Sequence, residues 1–203
     1  MNTRKIVFLF TFLALLYLMR DKGLSASPTE SSPDGVVRIL LSDAKSPRKL
    51  WERMTVERLK KLSPYLSPSL QGALSKWIKA SDLQASVGPC PEGVYDPLLH
   101  REFQPDKEKV GQPEYSGNTA TVVVEDFISK ESIRKISWPY RTRDRFILSN
   151  ATGHWVLNEI EFWRKYGDGA HTVYNKTLSE SLREQTISLL NTYHGQKAIK
   201  QPN

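Results

Sequence analysis

The sequence predicts an α+β domain in which N-terminal helices pack on a bent antiparallel sheet and a C-terminal helix closes the fold. Three observations predict it. Leu66, Leu70, Leu74 and Ile78 recur every four residues, as one stripe of a helix does. Further on, Thr119 to Phe127 is rich in β-branched residues, and two more strand-like runs follow, Arg143 to Ser149 and Trp155 to Trp163. Finally, Thr177 and Glu180 have the spacing of a capping box, and Leu178, Leu182, Leu189, Leu190 and Tyr193 extend an apolar stripe beyond them.

Before these elements lies a leader at 1–24. Arg4 and Lys5 precede an uncharged run from Ile6 to Met19, followed by Arg20, Asp21 and Lys22. A bilayer span normally takes about 20 apolar residues, so this shorter run has the size of a signal-peptide core. Small residues at Gly23-Leu24-Ser25 or Ser25-Ala26-Ser27 would suit a peptidase, while Arg20 and Lys22 suit anchoring at the far interface; the leader reads as a signal anchor or a signal peptide. Basic residues stay on the cytoplasmic side, so the folded part faces outward and the inner membrane is met through the N-terminal segment. Residues 25–35 are Ser-, Pro- and Thr-rich and read as a disordered tether.

The single domain is expected at 36–194 and a frayed tail at 195–203. Ser46-Pro47 is an N-cap followed by proline, and Leu50, Trp51, Met54, Leu59 and Leu62 would form the first helical stripe, ended by Pro64. The second helix opens after Pro68. Prolines and glycines between Gly88 and Pro113 predict a long ordered loop. Asn150-Ala151-Thr152-Gly153 makes the last two strands a hairpin. In the third strand Val156, Asn158, Ile160 and Phe162 are expected on one face, with Trp155, Leu157, Glu159, Glu161 and Trp163 on the other.

Composition narrows the chemistry. The chain has 29 basic and 22 acidic residues; residues 1–26 hold four and one of these, which leaves 25 against 21, a net of +4. That excess is no nucleic-acid footprint. Its densest stretch, Arg134 to Arg145, reads as a solvated strand face. One cysteine, Cys90, cannot make an intramolecular disulfide or a paired-thiolate site, and the four histidines show no metal-ligand spacing. Neither a metal nor a cofactor is expected. A phosphate loop and a nucleophile elbow are both missing.

Three pieces stand in order: Leu62 to Leu70, reading LSPYLSPSL; Tyr95-Asp96-Pro97-Leu98-Leu99; and Trp155 to Phe162, reading WVLNEIEF, followed by Thr177 to Leu182. In these the chain resembles bacterial envelope proteins of domain-of-unknown-function family 3828. The resemblance spans roughly Ser46 to Leu190 and implies a cystatin-like, or nuclear transport factor two-like, cone. It also implies a bacterial periplasmic location, membrane-anchored or released by signal cleavage. Many such proteins are lipid-anchored, whereas this chain has no cysteine at a cleavage site. The family brings no reaction with it, so Tyr65, Asp96 and Trp155 gain weight only as motif positions.

The candidate ligand- or partner-binding residues are therefore Tyr65, Asp96, Trp138, Tyr140, Trp155 and Glu159, with none assigned to catalysis. Trp138-Pro139-Tyr140 lifts two aromatics to an edge or loop, where rings with a polar rim suit recognition. Asp96, before Pro97, has the placement of a turn cap. The leading expectation is a non-enzymatic module binding an envelope protein or cell-wall component. The alternatives are a small-molecule or hydrolytic pocket using Glu159 or Asp96, with Asp126 and Asp144 as further carboxylates, and immunity against an envelope toxin.

Overall fold

A computed structural model describes residues 32–44, 54–88, 96–99, 105–129, 140–150, 153–165 and 172–200. Its elements are helices α1 (Pro33–Ala44), α2 (Val56–Leu62), α3 (Pro68–Val87) and α4 (Leu178–Lys200), with a single 3-10 turn at Ser63–Tyr65. The strands are β1 (Lys107–Val110), β2 (Glu114–Ser116), β3 (Thr119–Ile128), β4 (Tyr140–Ser149), β5 (Val156–Lys165) and β6 (Thr172–Thr177). The α+β class, with an antiparallel sheet and a C-terminal helix, is as the sequence predicts.

The first helix starts earlier than the tether allows for. Ser32 accepts from the Gly35 amide through its hydroxyl at 3.1 Å and from the Val36 amide through its carbonyl at 3.0 Å, which opens α1 at Pro33. Val36, Val37, Leu40, Leu41 and Ala44 then fill the core. Of the stripe expected from Pro47 onward, the described part is helical from Val56 to Leu62. Thr55 is extended there and caps α2 by accepting from the Arg58 amide. Residues 45–53, including Trp51, lie outside the described residues.

Helix α3 forms as its sequence dictates: Ser67 is the cap, Pro68 takes the first position, and Leu70, Leu74, Trp77 and Ile78 are buried. Helix α4 opens on the expected capping box, with Glu180 accepting from the Thr177 amide and Thr177 accepting from the Glu180 amide. It does not end near His194. The helix runs through Lys200, and Gln84 Nε2 donates to Gln196 Oε1 at 2.9 Å. Trp77 Nε1 donates to Gln185 Oε1 at 2.9 Å, so α3 and α4 lie side by side and run in the same direction.

The sheet order is β1-β3-β4-β5-β6, all antiparallel, with β2 also on β3. Three of these strands escape the sequence pattern: β1, inside the expected loop, and β2 and β6. Strands β1 and β2 share one edge, since β1 pairs with Val124–Phe127 and β2 with Thr119–Thr121. Gly111 joins them and donates its amide to the Val123 carbonyl at 2.8 Å. A Cβ there would stand 3.1 Å from that oxygen, so the edge is held close by the missing side chain.

Burial alternates cleanly along β3: Ala120, Val122, Val124, Asp126 and Ile128 point to the helices. Strand β5 departs from the expected alternation. Ile147 pairs with Glu159 but Leu148 pairs with Leu157, so Asn158 is an extra residue in a bulge. The bulge reverses the phase, and Leu157 therefore joins Ile160 and Phe162 in the core, all three at most 1% exposed.

Candidate functional site

Asp96 sits at the centre of a buried ionic cluster. Its Oδ1 accepts from the Leu98 amide at 2.9 Å, the turn-capping role its place before Pro97 suggests. Its Oδ2 accepts from Arg58 Nη2 at 2.6 Å, while Arg58 Nε donates to Asp43 Oδ2, also at 2.6 Å. Lys61 reaches Asp43 Oδ1 at 3.1 Å from the exposed side. Arg58 Nη1 has no hydrogen-bond partner among the described residues. Burial alone would lower the affinity of Arg58 for its proton, but the charges and hydrogen bonds of Asp96 and Asp43 outweigh it and hold the guanidinium pKa above its ordinary value. Two cations and two carboxylates thus join α1, α2 and the Asp96 turn. Neither Asp43 nor Arg58 stands out in the sequence, because their pairing follows only from the fold.

The other motif residues gather at a corner of the sheet. A parallel bridge joins Leu66 to Leu157, and the Ser67 amide donates to the Leu157 carbonyl at 2.8 Å. This places Tyr65 and Trp155 at that corner, both partly buried against the core. Trp155 meets the ring of Tyr115 edge-on, centroids 5.8 Å apart, and Tyr115 is 63% exposed. Tyr115 is absent from the sequence-derived candidates; its strand is three residues long and has no periodicity to mark it. Glu159 Oε1 accepts from the Ser179 amide at 3.0 Å and the Ile160 amide at 3.1 Å, so it serves the first turn of α4. Trp138 lies outside the described residues, as does the side chain of Tyr140, whose backbone pairs with Ile128 in β4.

On the core side of the sheet, Asp126 and Asp144 are 6% and 7% exposed, beyond the apolar stretch formed by Val122, Val124 and Phe146. Asp144 Oδ1 accepts from the Trp163 amide at 3.3 Å. The opposite side is charged. There Lys107, Phe127 and Arg141 lie in one row across β1, β3 and β4, and Lys109, Glu125 and Arg143 in the next. These six residues, with Glu108, Asp126 and Thr142, line a cleft of about 490 Å³. Arg141 stands over the Phe127 ring at 5.3 Å and Arg143 lies 3.6 Å from Glu125. Thr142, in the cleft wall, has a buried hydroxyl with no hydrogen-bond partner among the described residues.

No protein-family model, curated protein or solved structure matches this chain. The Arg58 cluster has its groups committed to one another. The aromatic corner and the cleft present groups to the outside. Among the described residues no group of His, Cys, Asp and Glu is arranged to hold a metal ion, and no helix is long and apolar enough to cross a membrane.

Proposed function

We propose that the chain is an exported envelope protein of the kind it resembles, with a cystatin-like domain that works as a non-enzymatic binding module on the outer side of the cytoplasmic membrane. Its partner in this reading is another envelope protein or a cell-wall component. The observation that carries the reading is the aromatic corner: Tyr115, 63% exposed, backed edge-on by Trp155. A large ring held against a rigid neighbour offers contact area at little entropic cost, which is how recognition surfaces use tyrosine.

Two further points support it. The basic and apolar pattern of residues 4–22 suits export. The two carboxylates favoured for a hydrolytic pocket have other work, Asp96 in the Arg58 cluster and Glu159 at α4.

The experiment is a crosslinked pull-down of the full-length protein from its own cells, repeated with Tyr115→Ala and with Trp138→Ala/Tyr140→Ala. One saturating partner, lost in either variant with unchanged thermal stability, is the expected result. An empty pull-down with the leader found cleaved would overturn the reading in favour of a soluble ligand-binding or catalytic role.

A further inference from the structure

The cleft on the charged side of the sheet is built from the strand register. Lys107 and Arg141 stand on either side of Phe127, and Lys109 and Arg143 on either side of Glu125. Residues two strands apart are separated by roughly 10 Å, and residues two apart along a strand by roughly 7 Å. Four cations thus frame a slot floored by an aromatic ring and Glu125; Glu108 and Asp126 also line the cleft, from positions that alternate to the other face of their strands.

Their charges are poorly compensated. Among the described residues only Arg143 of the four has an ion-pair partner, Glu125 at 3.6 Å, and both of those side chains are about half exposed or more. Lys107, Lys109 and Arg141 have no ion-pair partner among the described residues; Arg141 instead rests on the Phe127 ring, which orients its planar donors. By contrast, the neighbouring Arg145 is satisfied by Glu161 at 2.9 Å. Three cations without an ion-pair partner among the described residues thus border the cavity, and a volume of about 490 Å³ suits a small ligand or one unit of a polymer.

We infer that this slot is an oxyanion site that takes the phosphate group of a ligand, held between Lys107 and Arg141 above Phe127, with Lys109 and Arg143 supplying the second row of positive charge. Phosphate fits better than a single carboxylate because its oxygens point several ways and can meet cations on both walls, while a guanidinium presents paired donors to it. The phosphate has two available sources, a soluble phosphorylated compound or the headgroup of an anionic lipid. The inference deepens the binding-module reading and rests on it for the meaning of the site, but the slot is lined by residues other than the aromatic corner, so each can fail alone.

The test titrates glycerol 3-phosphate into the full-length protein by calorimetry and, separately, measures flotation with phosphatidylcholine vesicles with and without phosphatidylglycerol. Saturable binding of glycerol 3-phosphate, not of glycerol, assigns a soluble source; a gain in flotation that requires phosphatidylglycerol, without binding of the soluble probe, assigns the headgroup. In either case Lys107→Ala/Arg141→Ala should weaken binding about tenfold or more, since each charge-assisted contact to phosphate is worth at least that factor. Arg183→Ala/Lys197→Ala, an equal charge change at exposed positions of α4, should leave it unchanged. Lys107→Arg should retain it. Binding of neither probe, or binding that Lys107→Ala/Arg141→Ala leaves intact while its melting temperature is unaltered, overturns the inference.

Discussion

Arg58 and Asp96, 38 residues apart in the chain, share a 2.6 Å hydrogen bond with side chains only 8% and 0% exposed. With Asp43 on the other edge of the same guanidinium, this contact ties the first two helices to a turn that has no regular structure of its own. Replacing Arg58 by Met would leave two buried carboxylates facing one another with Lys61 alone to answer them. The expected loss is about 3–5 kcal/mol, read from urea unfolding. Adding Asp43→Asn and Asp96→Asn to Arg58→Met should recover much of it, because the uncompensated charge, rather than the lost bond, is the larger cost.

The pH dependence of that cluster has a definite sign on the alkaline side. A cation whose folded pKa is raised gives its full stabilisation below its unfolded pKa and loses it only as pH climbs through the folded value. For an arginine raised from its ordinary value, that loss lies beyond any practical alkaline range. The destabilisation by Arg58→Met should therefore not shrink between about pH 7 and about pH 10. A penalty that shrinks towards the higher pH would show that Arg58 loses its charge there.

Trp77 is fully buried and donates its indole N–H to Gln185 across the two parallel helices. Trp77→Phe keeps a ring but strands the amide oxygen of Gln185 and shrinks the side chain, for an expected cost of about 1–3 kcal/mol by chemical denaturation. Combining it with Gln185→Leu should cost less than the sum of the two single changes, as coupled neighbours do.

Glu159→Gln keeps an oxygen for the Ser179 and Ile160 amides but removes the negative charge at the start of α4. A loss of about 0.3–1 kcal/mol is expected from the melting curve. Any ligand-dependent rise in melting temperature should survive this change. Its abolition would instead favour the pocket in which Glu159 acts on a substrate.

Much of the architecture was legible because local chemistry and burial agree. Ser67-Pro68 with Leu70, Leu74 and Ile78 specifies α3 twice over, by cap and by stripe, and Thr177 with Glu180 does the same for α4. The alternation of β3 likewise needs no distant partner. Strand β1 was missed because Lys107-Glu108-Lys109 has no apolar alternation; it is a strand because β3 offers an edge. The phase of β5 was misread at Asn158, where a bulge adds a residue that periodicity cannot count. Helix α1 is not among the elements the sequence predicts, whose first helix opens at Ser46-Pro47, although Val36, Val37, Leu40 and Leu41 have helical spacing.

Of the candidate site, Asp96 as a turn cap was readable from its neighbour Pro97, whereas its bond to Arg58 was not, since no local pattern links residues so far apart. The cationic rows were visible only as a basic stretch around β4. Their facing partners Lys107 and Lys109 come from another strand, and only the register sets them opposite.

The side-by-side run of α3 and α4 also fixes an order of events. Trp77 and Gln84 find their partners 108 and 112 residues later, so the side of α3 that meets α4 stays uncovered until α4 is made. Contacts closed over such distances slow folding and cannot form on a growing chain. The chain would thus lock only when Leu182 and Leu189 arrive to seal the core.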